Sequence, residues 1–325
     1  PVPAWRALSA ARDPSRPVGA LAAPLIGRDV ELALLRNTFE RTIRDRRAHL
    51  VTIYGEPGVG KSRLARDFVA GLDGATVLVG RCLPYGEGIT YWPLAEMIKA
   101  STGIADNDPP EGAREKLRGY CGDEAVADVL ALVSGVFEDV EMDRPREEIA
   151  WAVREWVQRV AAGRPLVLGF EDVHWSEEPL LGLIEHLARW VRDAPLLILC
   201  LARPELLDVD AQWGGGRVRG ATIELGALPQ EEAGRLVDVL LAEAALSPEV
   251  RSDVLAKTEG NPLFVEETVR MLAEGAEGRI PIPDTVQALI AARIDGLPRA
   301  ARLLLRRASV IGRVFWRGAV AHLSN

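Results

Sequence analysis

The sequence lacks several features that mark whole classes of protein. It holds only three cysteines, Cys82, Cys121 and Cys200, and none lies near a histidine in a metal-ligand pattern. Their odd number and wide spacing exclude a disulfide framework and a zinc site, and predict reduced thiols in a cytoplasmic protein. The longest apolar run, Ala194–Ala202, is far shorter than the ~20 residues that cross a bilayer, which excludes a membrane-spanning helix.

An excess of positive charge is also absent. The 39 Lys and Arg residues stand against 47 Asp and Glu residues, which gives a net charge of −8. Because this balance attracts neither nucleic acid nor anionic lipid, we expect no direct nucleic-acid binding and no membrane partner. Hydrophobic residues make up 48% and charged residues 26%, a composition typical of soluble globular proteins, which excludes a disordered chain.

What the sequence does contain is an alternation of short apolar runs with amphipathic helices. Such runs are typical of parallel strands that are covered by helices on both faces. The predicted strands are Leu50–Tyr54, Thr76–Gly80, Leu166–Phe170, Leu196–Leu201 and Ala221–Leu225. We therefore expect an α/β fold with a five-stranded, mainly parallel sheet.

The length of 325 residues suggests about two domains. The first residue is Pro1, and no leader precedes the fold, so we expect a piece of a longer protein. After the last predicted strand only helices follow: Pro229–Glu243, Ser247–Lys257, Pro262–Glu274, Thr285–Ile294 and Arg299–Ala308. The predicted boundaries are 1–24 for a linker, 25–225 for the α/β domain with a helical insert at 81–143, 226–296 for a helical lid domain, and 297–325 for the start of a further domain.

The segment Gly55–Ser62 fits the pattern G-x-x-x-x-G-K-[ST] between a predicted strand and a predicted helix. In that context the backbone N–H groups surround phosphate, Lys61 reaches the terminal phosphates and the Ser62 hydroxyl ligates Mg²⁺. A glycine-rich turn without a ligand is the alternative. The predicted phosphate-binding residues are Gly55, Glu56, Pro57, Gly58, Val59, Gly60, Lys61, Ser62 and Arg63.

Two carboxylates follow the third predicted strand. The run Leu166–Asp172 has the Walker B form, in which Glu171 is expected to hold Mg²⁺ through water and Asp172 to orient or deprotonate the attacking water. The alternative is that one of them caps the next helix. Arg203 directly follows the next predicted strand and is the candidate sensor of the γ-phosphate, with an ordinary surface ion pair to Glu205 or Asp208 as the alternative.

Several motifs in order resemble the STAND ATPases, which are signal-transduction relatives of the AAA+ proteins. They are Gly27-Arg28-Asp29, Glu171-Asp172-Val173-His174-Trp175, Ala202-Arg203-Pro204-Glu205 and Gly260-Asn261-Pro262-Leu263-Phe264-Val265-Glu266-Glu267. From about Pro24 onward, the chain is similar to the ATPase module of large LuxR-type transcription regulators and of multidomain class III adenylate or guanylate cyclases.

The resemblance implies positions for residues that the motifs alone do not place. The Arg203 strand would lie between the P-loop strand and the Walker B strand. Ile26, Gly27 and Arg28 would lie near the adenine, and Pro262 would close over the base from the helical domain. Many relatives have Asp where Glu171 stands, and the winged-helix unit that follows the helical domain is incomplete in this sequence.

One further segment and one further residue each allow two interpretations. The run from Gly80 to Trp92 either packs its aromatic residues or contacts nucleotide or a partner subunit. His174 either senses phosphate and orients the acidic pair, or is a hydrogen-bonded structural residue.

The motifs and the resemblance together predict a slow, regulatory ATPase that binds ATP or ADP with Mg²⁺ and switches a larger signalling protein. The expected partners are effector domains of the same longer chain, among them an N-terminal cyclase domain, and further copies of the module. The alternative is a nucleotide-binding oligomerisation scaffold with negligible hydrolysis. A small-molecule kinase fits the P-loop but not the acidic pair followed by helices alone.

Overall fold

The computed structural model describes residues 24–311 except 84–89, 106, 136–143, 215–217, 242–246, 275–293 and 295–298. The predicted linker up to residue 23, the predicted helix Thr285–Ile294 apart from its last residue, and residues 312–325 of the predicted winged-helix unit lie outside the described residues. The chain divides into two compact units. One unit runs from Gly27 to Ala227, and the other comprises Leu228–Asn325 together with Pro1–Ile26.

The first unit contains a five-stranded parallel sheet. Its strands are β1 (His49–Gly55), β2 (Thr76–Arg81), β3 (Leu166–Glu171), β4 (Leu196–Ala202) and β5 (Gly220–Leu225). They lie in the order β2-β3-β4-β1-β5, with every neighbouring pair parallel. This order confirms the α/β prediction and places the strand before Arg203 between the P-loop strand and the Walker B strand.

The central strands are apolar because helices cover both of their faces. Every residue of β1 and β4 is buried, whereas β5, at one edge of the sheet, alternates between buried and more exposed positions. The one threonine of β1, Thr52, is satisfied because its hydroxyl oxygen accepts a hydrogen bond from Trp213 Nε1 at 2.9 Å. Hydrophobic burial therefore holds the sheet without leaving that polar group unpaired.

The helices of the first unit include those of the predicted insert. They are α1 (Asp29–Asp45), α2 (Lys61–Ala70), α3 (Trp92–Thr102), α4 (Pro110–Cys121), α5 (Glu124–Val133), α6 (Arg146–Val160), α7 (Glu178–Trp190) and the short α8 (Leu206–Val209), which the sequence did not predict. Three of them, α3 to α5, lie within the stretch predicted as a helical insert. A Cβ atom at Gly80 would lie 2.2 Å from the carbonyl oxygen of Pro93, so α3 contacts strand β2 closely enough to require glycine there.

The described part of the second unit is helical. Its helices are α9 (Gln230–Leu240), α10 (Pro248–Thr258), α11 (Pro262–Glu274) and α12 (Arg299–Ile311). Leu236, Val254 and Val265 are buried in its core. The starts of α10 and α11 are capped as the sequence predicted: Ser247 Oγ accepts from Val250 N–H at 3.3 Å and Asn261 Oδ1 accepts from Leu263 N–H at 3.1 Å.

All three cysteines are free and buried, which agrees with the prediction that no disulfide forms. Burial raises the pKa of the Cys82 thiol to about 11, and it also raises the pKa of Cys121 and Cys200. Within the described ranges, none of the helices has the length and apolar character needed to cross a membrane.

Candidate functional site

The loop between β1 and α2 has the backbone of a phosphate-binding loop. Gly58 and Gly60 have positive φ angles of 86° and 101°, a region that residues with a side chain rarely adopt. At Gly55 a Cβ atom would lie 2.6 Å from Leu225 O and 2.8 Å from Val59 Cγ2. The glycines are therefore required by the path of the backbone, which leads into the N-terminus of α2 at Lys61. The positive end of that helix and its unpaired N–H groups suit an anion.

Arg28, which belongs to the first unit, stabilises this loop through side-chain hydrogen bonds. Its side chain is only 7% exposed, and its Nη2 donates to Val59 O at 3.2 Å and to Gly226 O at 2.5 Å. The guanidinium also lies 3.6 Å from a carboxylate oxygen of Glu31. Arg28 thus joins the P-loop to the segment after β5, which is a structural task that the sequence did not predict.

The adenine site implied for Ile26, Gly27 and Arg28 stays a prediction. Gly27 has a positive φ of 65° just before α1. Ile26 is half-buried against the core of the second unit. Pro262 starts α11 in that same unit, and its proposed closure over the base likewise stays a prediction.

Lys61 folds back onto the loop that carries it. Its Nζ donates to Gly55 O at 2.5 Å and to Glu56 O at 3.0 Å. Burial is the main cause that lowers the pKa of Lys61, and the positive charge of Arg203 lowers it further. Partial desolvation and a nearby second cation both disfavour the charged form of the ammonium group. An anion that binds beside it would stabilise that charged form. The neighbouring Ser62 is exposed in the first turn of α2, where its hydroxyl is available to a metal ion.

Arg63 is the remaining member of the predicted phosphate-binding set. Its Nε lies 3.3 Å from a carboxylate oxygen of Asp67, one turn further along α2. This ion pair stabilises the helix and leaves the assignment of Arg63 to phosphate as a prediction.

The acidic pair lies where β3 ends. Glu171 is the last residue of the strand, and Asp172 adopts the left-handed region with φ 58°. This conformation costs free energy for a residue other than glycine, although aspartate tolerates it better than most. The Asp172 side chain makes no capping hydrogen bond to the 3₁₀ turn Val173–Trp175 that follows, so the helix-cap alternative is not supported there.

Arg81 bridges both carboxylates and was not among the predicted site residues. Its Nη2 lies 3.2 Å from Glu171 Oε2, and its Nε donates to Asp172 Oδ2 at 2.9 Å. Arg81 is the last residue of β2 and pairs in register with Glu171. The predicted strand Thr76–Gly80 ended one residue too early, and a cation at the end of the neighbouring strand was the signal that could have identified it.

Arg203 follows β4 and lies near the other charged groups of the site. Its charge lowers the pKa of both Lys61 and His174. Among the described residues, no ion pair within 4 Å links Arg203 to Glu205 or Asp208, so the surface-pair alternative finds no support. Its backbone N–H donates to His174 Nδ1 at 3.4 Å.

His174 lies in the 3₁₀ turn after the acidic pair and is 9% exposed. Burial is the main cause that lowers its pKa, while the negative charge of Asp172 opposes the change. The ring of Trp175 lies 5.0 Å from the imidazole, and Trp175 itself is 41% exposed. In the run from Gly80 to Trp92, Tyr91 is buried, as a packed aromatic residue would be, and residues 84–89 lie outside the described part.

These residues share the carboxyl edge of a single parallel sheet. The P-loop follows β1, Arg203 follows β4, and the acidic pair follows β3, on adjacent strands that are spaced about 4.8 Å apart. The described residues hold no group of three or more His, Cys, Asp and Glu side chains that would bind a metal alone. The donor set fits Mg²⁺, which is held by one or two protein oxygens together with phosphate oxygens and water.

Comparison with known proteins gives two matches to family models. Residues 24–199 match the family model described as AAA ATPase domain, and residues 229–276 match a domain of unknown function (DUF8739). An uncharacterized protein of Rhizobium meliloti (strain 1021) is 26% identical over 302 residues, which cover 88% of this chain. The chain spans only 28% of the length of that curated relative.

Two solved structures share the fold. A Signal Transduction ATPase with Numerous Domains (STAND) protein with a tetratricopeptide repeat sensor, from Pyrococcus horikoshii, matches with a TM-score of 0.51 and 19% identity, over 94% of this chain and 38% of that chain. Cdc6p from Pyrobaculum aerophilum matches with a TM-score of 0.54 and 14% identity, over 92% of this chain and 79% of that chain.

Proposed function

The chain belongs to the AAA ATPase domain family and has a STAND/AAA+-type P-loop fold, and from this premise we propose that it binds ATP and hydrolyses it as a regulatory module. One observation carries the proposal. In the sheet, the glycine-rich phosphate-binding loop with Lys61 lies at the same edge as the adjacent carboxylates Glu171 and Asp172. Phosphate binding alone needs only the loop, whereas hydrolysis needs the acidic residues as well.

The chain's own residues divide the work by their chemistry. The N–H groups of the P-loop and the ammonium of Lys61 hold phosphate oxygens, for which Lys61 exchanges its bonds to the carbonyls of Gly55 and Glu56. The Asp172 carboxylate orients the attacking water and accepts its proton. Arg203 offsets the negative charge of the terminal phosphate. Ser62 and Glu171 would hold Mg²⁺, which when bound neutralises charge on the phosphate oxygens.

The first experiment tests the phosphate site through Lys61→Ala. Loss of a charge-assisted contact should weaken ATP binding by roughly 10- to 100-fold in a calorimetric titration. Arg66→Ala is the matched control, because Arg66 lies exposed on the same helix and should leave the affinity unchanged. Equal ATP affinity in the wild type and in Lys61→Ala would contradict the assignment.

The second experiment tests catalysis through Asp172→Asn. Asparagine tolerates the left-handed backbone, so the change removes the charge while keeping the local structure. We expect phosphate release to fall by about 100-fold or more while ATP binding stays within about threefold. Asp193→Asn is the control, because Asp193 has a similar φ of 56° and lies before β4, at the opposite edge of the sheet. Unchanged turnover in Asp172→Asn would reject the role of Asp172.

One observation favours the second candidate, a nucleotide-binding scaffold with negligible hydrolysis. Arg81 engages both carboxylates that hydrolysis would use. Phosphate release measured in a single turnover, together with the mass of the particle in ATP and in ADP, distinguishes the two. Release on the scale of minutes supports the ATPase, whereas bound ATP that stays intact while the mass changes supports the scaffold.

The wider role of the module is part of the same proposal. We place it in a larger signalling protein whose effector lies elsewhere in the longer chain, with a nucleotide cyclase as the expected N-terminal effector. Two findings support a longer protein: the curated relative is much longer than this chain, and the similar STAND protein is described as carrying a tetratricopeptide repeat sensor. Self-association in ATP is the accompanying expectation, and the net charge of −8 argues against nucleic acid as a direct partner.

A further inference from the structure

We propose that the amino edge of the sheet is a docking surface for an acidic segment of another protein. Arginines precede four adjacent strands there, β3, β4, β1 and β5, at the edge opposite the one that carries the P-loop and the acidic pair. The proposal goes beyond ATP binding and hydrolysis and does not rest on them, because these arginines lie outside the candidate nucleotide site.

We call these residues the arginine row. Some lie near the end of α1 or just after it, before β1, and the others lie just before β3, β4 and β5. In the order of the chain they are Arg41, Arg44, Arg46, Arg47, Arg164, Arg192 and Arg219. All of them are exposed except Arg47, which is half-buried.

Backbone contacts bring the members of the row together. Arg47 and Arg192 form an antiparallel bridge outside the main strands. The N–H of Leu50 in β1 donates to the carbonyl of Arg219 at 2.8 Å. Because neighbouring strands lie about 4.8 Å apart, the row extends across roughly 14 Å of the sheet edge. The arginines therefore lie side by side along one edge.

Few carboxylates offset the charge of the row. Arg44 lies 3.1 Å from a carboxylate oxygen of Asp45. Arg46 donates to the backbone oxygen of Asp193 at 2.6 Å, which is an uncharged group. Within the described residues, the other arginines of the row form no ion pair within 4 Å. Asp73, which precedes β2, is a further exposed carboxylate at this edge, and the local balance stays positive.

The positive charge of the row acts on His49, which is buried at the start of β1. Burial is the main cause that lowers the pKa of His49. The charges of Arg41 and Arg219 lower it further, against the opposing effects of Asp45 and of the hydrogen bond to the Arg47 carbonyl. A net positive field therefore exists at this edge of a chain whose net charge is −8. An anionic partner would reduce the repulsion within the row.

A purely structural explanation accounts for only part of the row. The C-terminal end of a helix carries a partial negative charge that favours a cation within about one turn. This effect explains Arg44 in the last turn of α1 and extends to Arg192 just after α7. Arg164 lies beyond Ala161, the C-cap of α6, and Arg219 precedes β5 without a helix end beside it in the chain. Those two exposed arginines have no structural task of this kind.

The residue types at this edge suit a protein partner. An arginine binds a carboxylate through two parallel N–H donors. Trp190 is 47% exposed, and the guanidinium of Arg192 lies 6.0 Å from the centroid of its ring. Trp and Arg are among the residues that contribute most to the free energy of protein–protein association. The row together with Trp190 thus has the composition of an interface.

The size of the row fits a short acidic peptide better than a nucleic acid. In an extended peptide the side chains on one side recur about every 6.6 Å, so two or three carboxylates span the row. Charges are screened beyond about 8–10 Å at physiological salt. A longer polyanion would extend past the row and meet the negative charge that dominates the rest of the chain.

The test measures binding of a fluorescein-labelled peptide of about twelve residues, in which Glu alternates with Ser, by fluorescence anisotropy. The double variant Arg192→Glu with Arg219→Glu reverses two exposed charges of the row. We expect the dissociation constant to rise by about tenfold or more. The matched control is Arg66→Glu with Arg118→Glu, on α2 and α4, which changes the net charge equally and should leave the affinity within about twofold.

Lys61→Ala shows whether the peptide binds at the nucleotide site instead. We expect its peptide affinity to equal that of the wild type, whereas its ATP affinity tests the proposed function alone. A peptide affinity that falls in Lys61→Ala, or equally in the row variant and its control, would overturn the docking surface. A wild-type chain that does not bind the peptide would overturn it too. In urea unfolding the two double variants should be equally stable, and a row variant that loses stability but keeps its affinity would show a structural role.

Two further measurements distinguish the acidic segment from other occupants. A single-stranded thymidine oligonucleotide with the same number of negative charges should bind more weakly than the peptide. Tighter binding of the oligonucleotide would assign the row to nucleic acid and overturn the proposal. Sedimentation of the chain without peptide should give the same mass for the wild type and the row variant. Self-association that only the row variant loses would assign the row to a second copy of the chain, which would also overturn the proposal.

Discussion

At the scale of single residues, Arg81 contacts both carboxylates of the acidic pair. Two adjacent carboxylates repel each other, and a guanidinium that contacts both offsets that repulsion. The proposed function assigns the same two side chains to Mg²⁺ and to the attacking water. If that assignment holds, the arginine would compete with the metal ion for Glu171.

Replacement of Arg81 by glutamine tests this competition. Removing a cation from a half-buried ion pair should lower the Mg²⁺ concentration needed for half-maximal ATP hydrolysis by about two- to fivefold. A titration of phosphate release with Mg²⁺ at saturating ATP measures the shift. Arg114→Gln is a suitable control, because Arg114 makes a comparable ion pair with Asp128, which joins α4 and α5 in the insert. A Mg²⁺ requirement that rises in Arg81→Gln would contradict the competition.

Local sequence patterns were sufficient to predict the positions of the P-loop and of the acidic pair. Each depends on consecutive residues, so Gly55–Ser62 and Glu171–Asp172 could be read directly from the sequence. The bond from Arg81 to Asp172 joins residues 91 positions apart, and it depends on the register of β2 against β3. The bracing of the P-loop by Arg28 depends on a carbonyl 198 positions away. No local pattern encodes such pairs.

At the scale of elements, the helical insert is attached where strand β2 meets helix α3. Gly80 allows the contact, since a Cβ atom there would lie within 2.2 to 2.7 Å of the Pro93 backbone. Trp156 Nε1 on α6 also donates to Ser101 Oγ on α3 at 3.1 Å. The sequence predicted a helical insert at 81–143, but the glycine contact depends on packing between elements and could not be predicted from the sequence.

Gly80→Ala should therefore destabilise the chain. The backbone of α3 cannot move aside as a flexible side chain would, so we expect a loss of about 1–3 kcal/mol in the free energy of unfolding. Gly119→Ala is the matched control, because Gly119 lies in α4 with no atom within 4 Å of the added carbon. That control should gain about 0.5–1 kcal/mol from helix propensity. Equal stability of the two variants in urea unfolding would show that the Gly80 contact is unimportant.

At the scale of the whole molecule, stability should depend on the neutral state of its histidines. His49, His174 and His186 are described among the four histidines of the sequence, and burial lowers the pKa of each. His49 in β1 is the most buried of the three, with 4% exposure. Because the unfolded chain then binds more protons than the folded chain below the ordinary pKa of 6.5, acid favours unfolding.

We expect the free energy of unfolding to be highest above pH 6.5 and to fall as the pH is lowered from 6.5 toward 5. Urea unfolding at several pH values, without nucleotide, measures the slope, and this range stays above the pKa of most carboxylates. In His49→Gln the slope should become smaller because one of the contributing groups is gone. A chain that is as stable at pH 5.5 as at pH 7.5 would contradict the prediction.

The burial of every cysteine also gives an experimental opportunity. A thiol reacts through its thiolate, so Cys82, Cys121 and Cys200, which are buried and have raised pKa values, should react slowly with maleimide dyes. A cysteine introduced in place of Glu40, which is exposed on α1, would be labelled selectively. A fluorophore at that position could then follow the module through its nucleotide cycle without removal of any native cysteine.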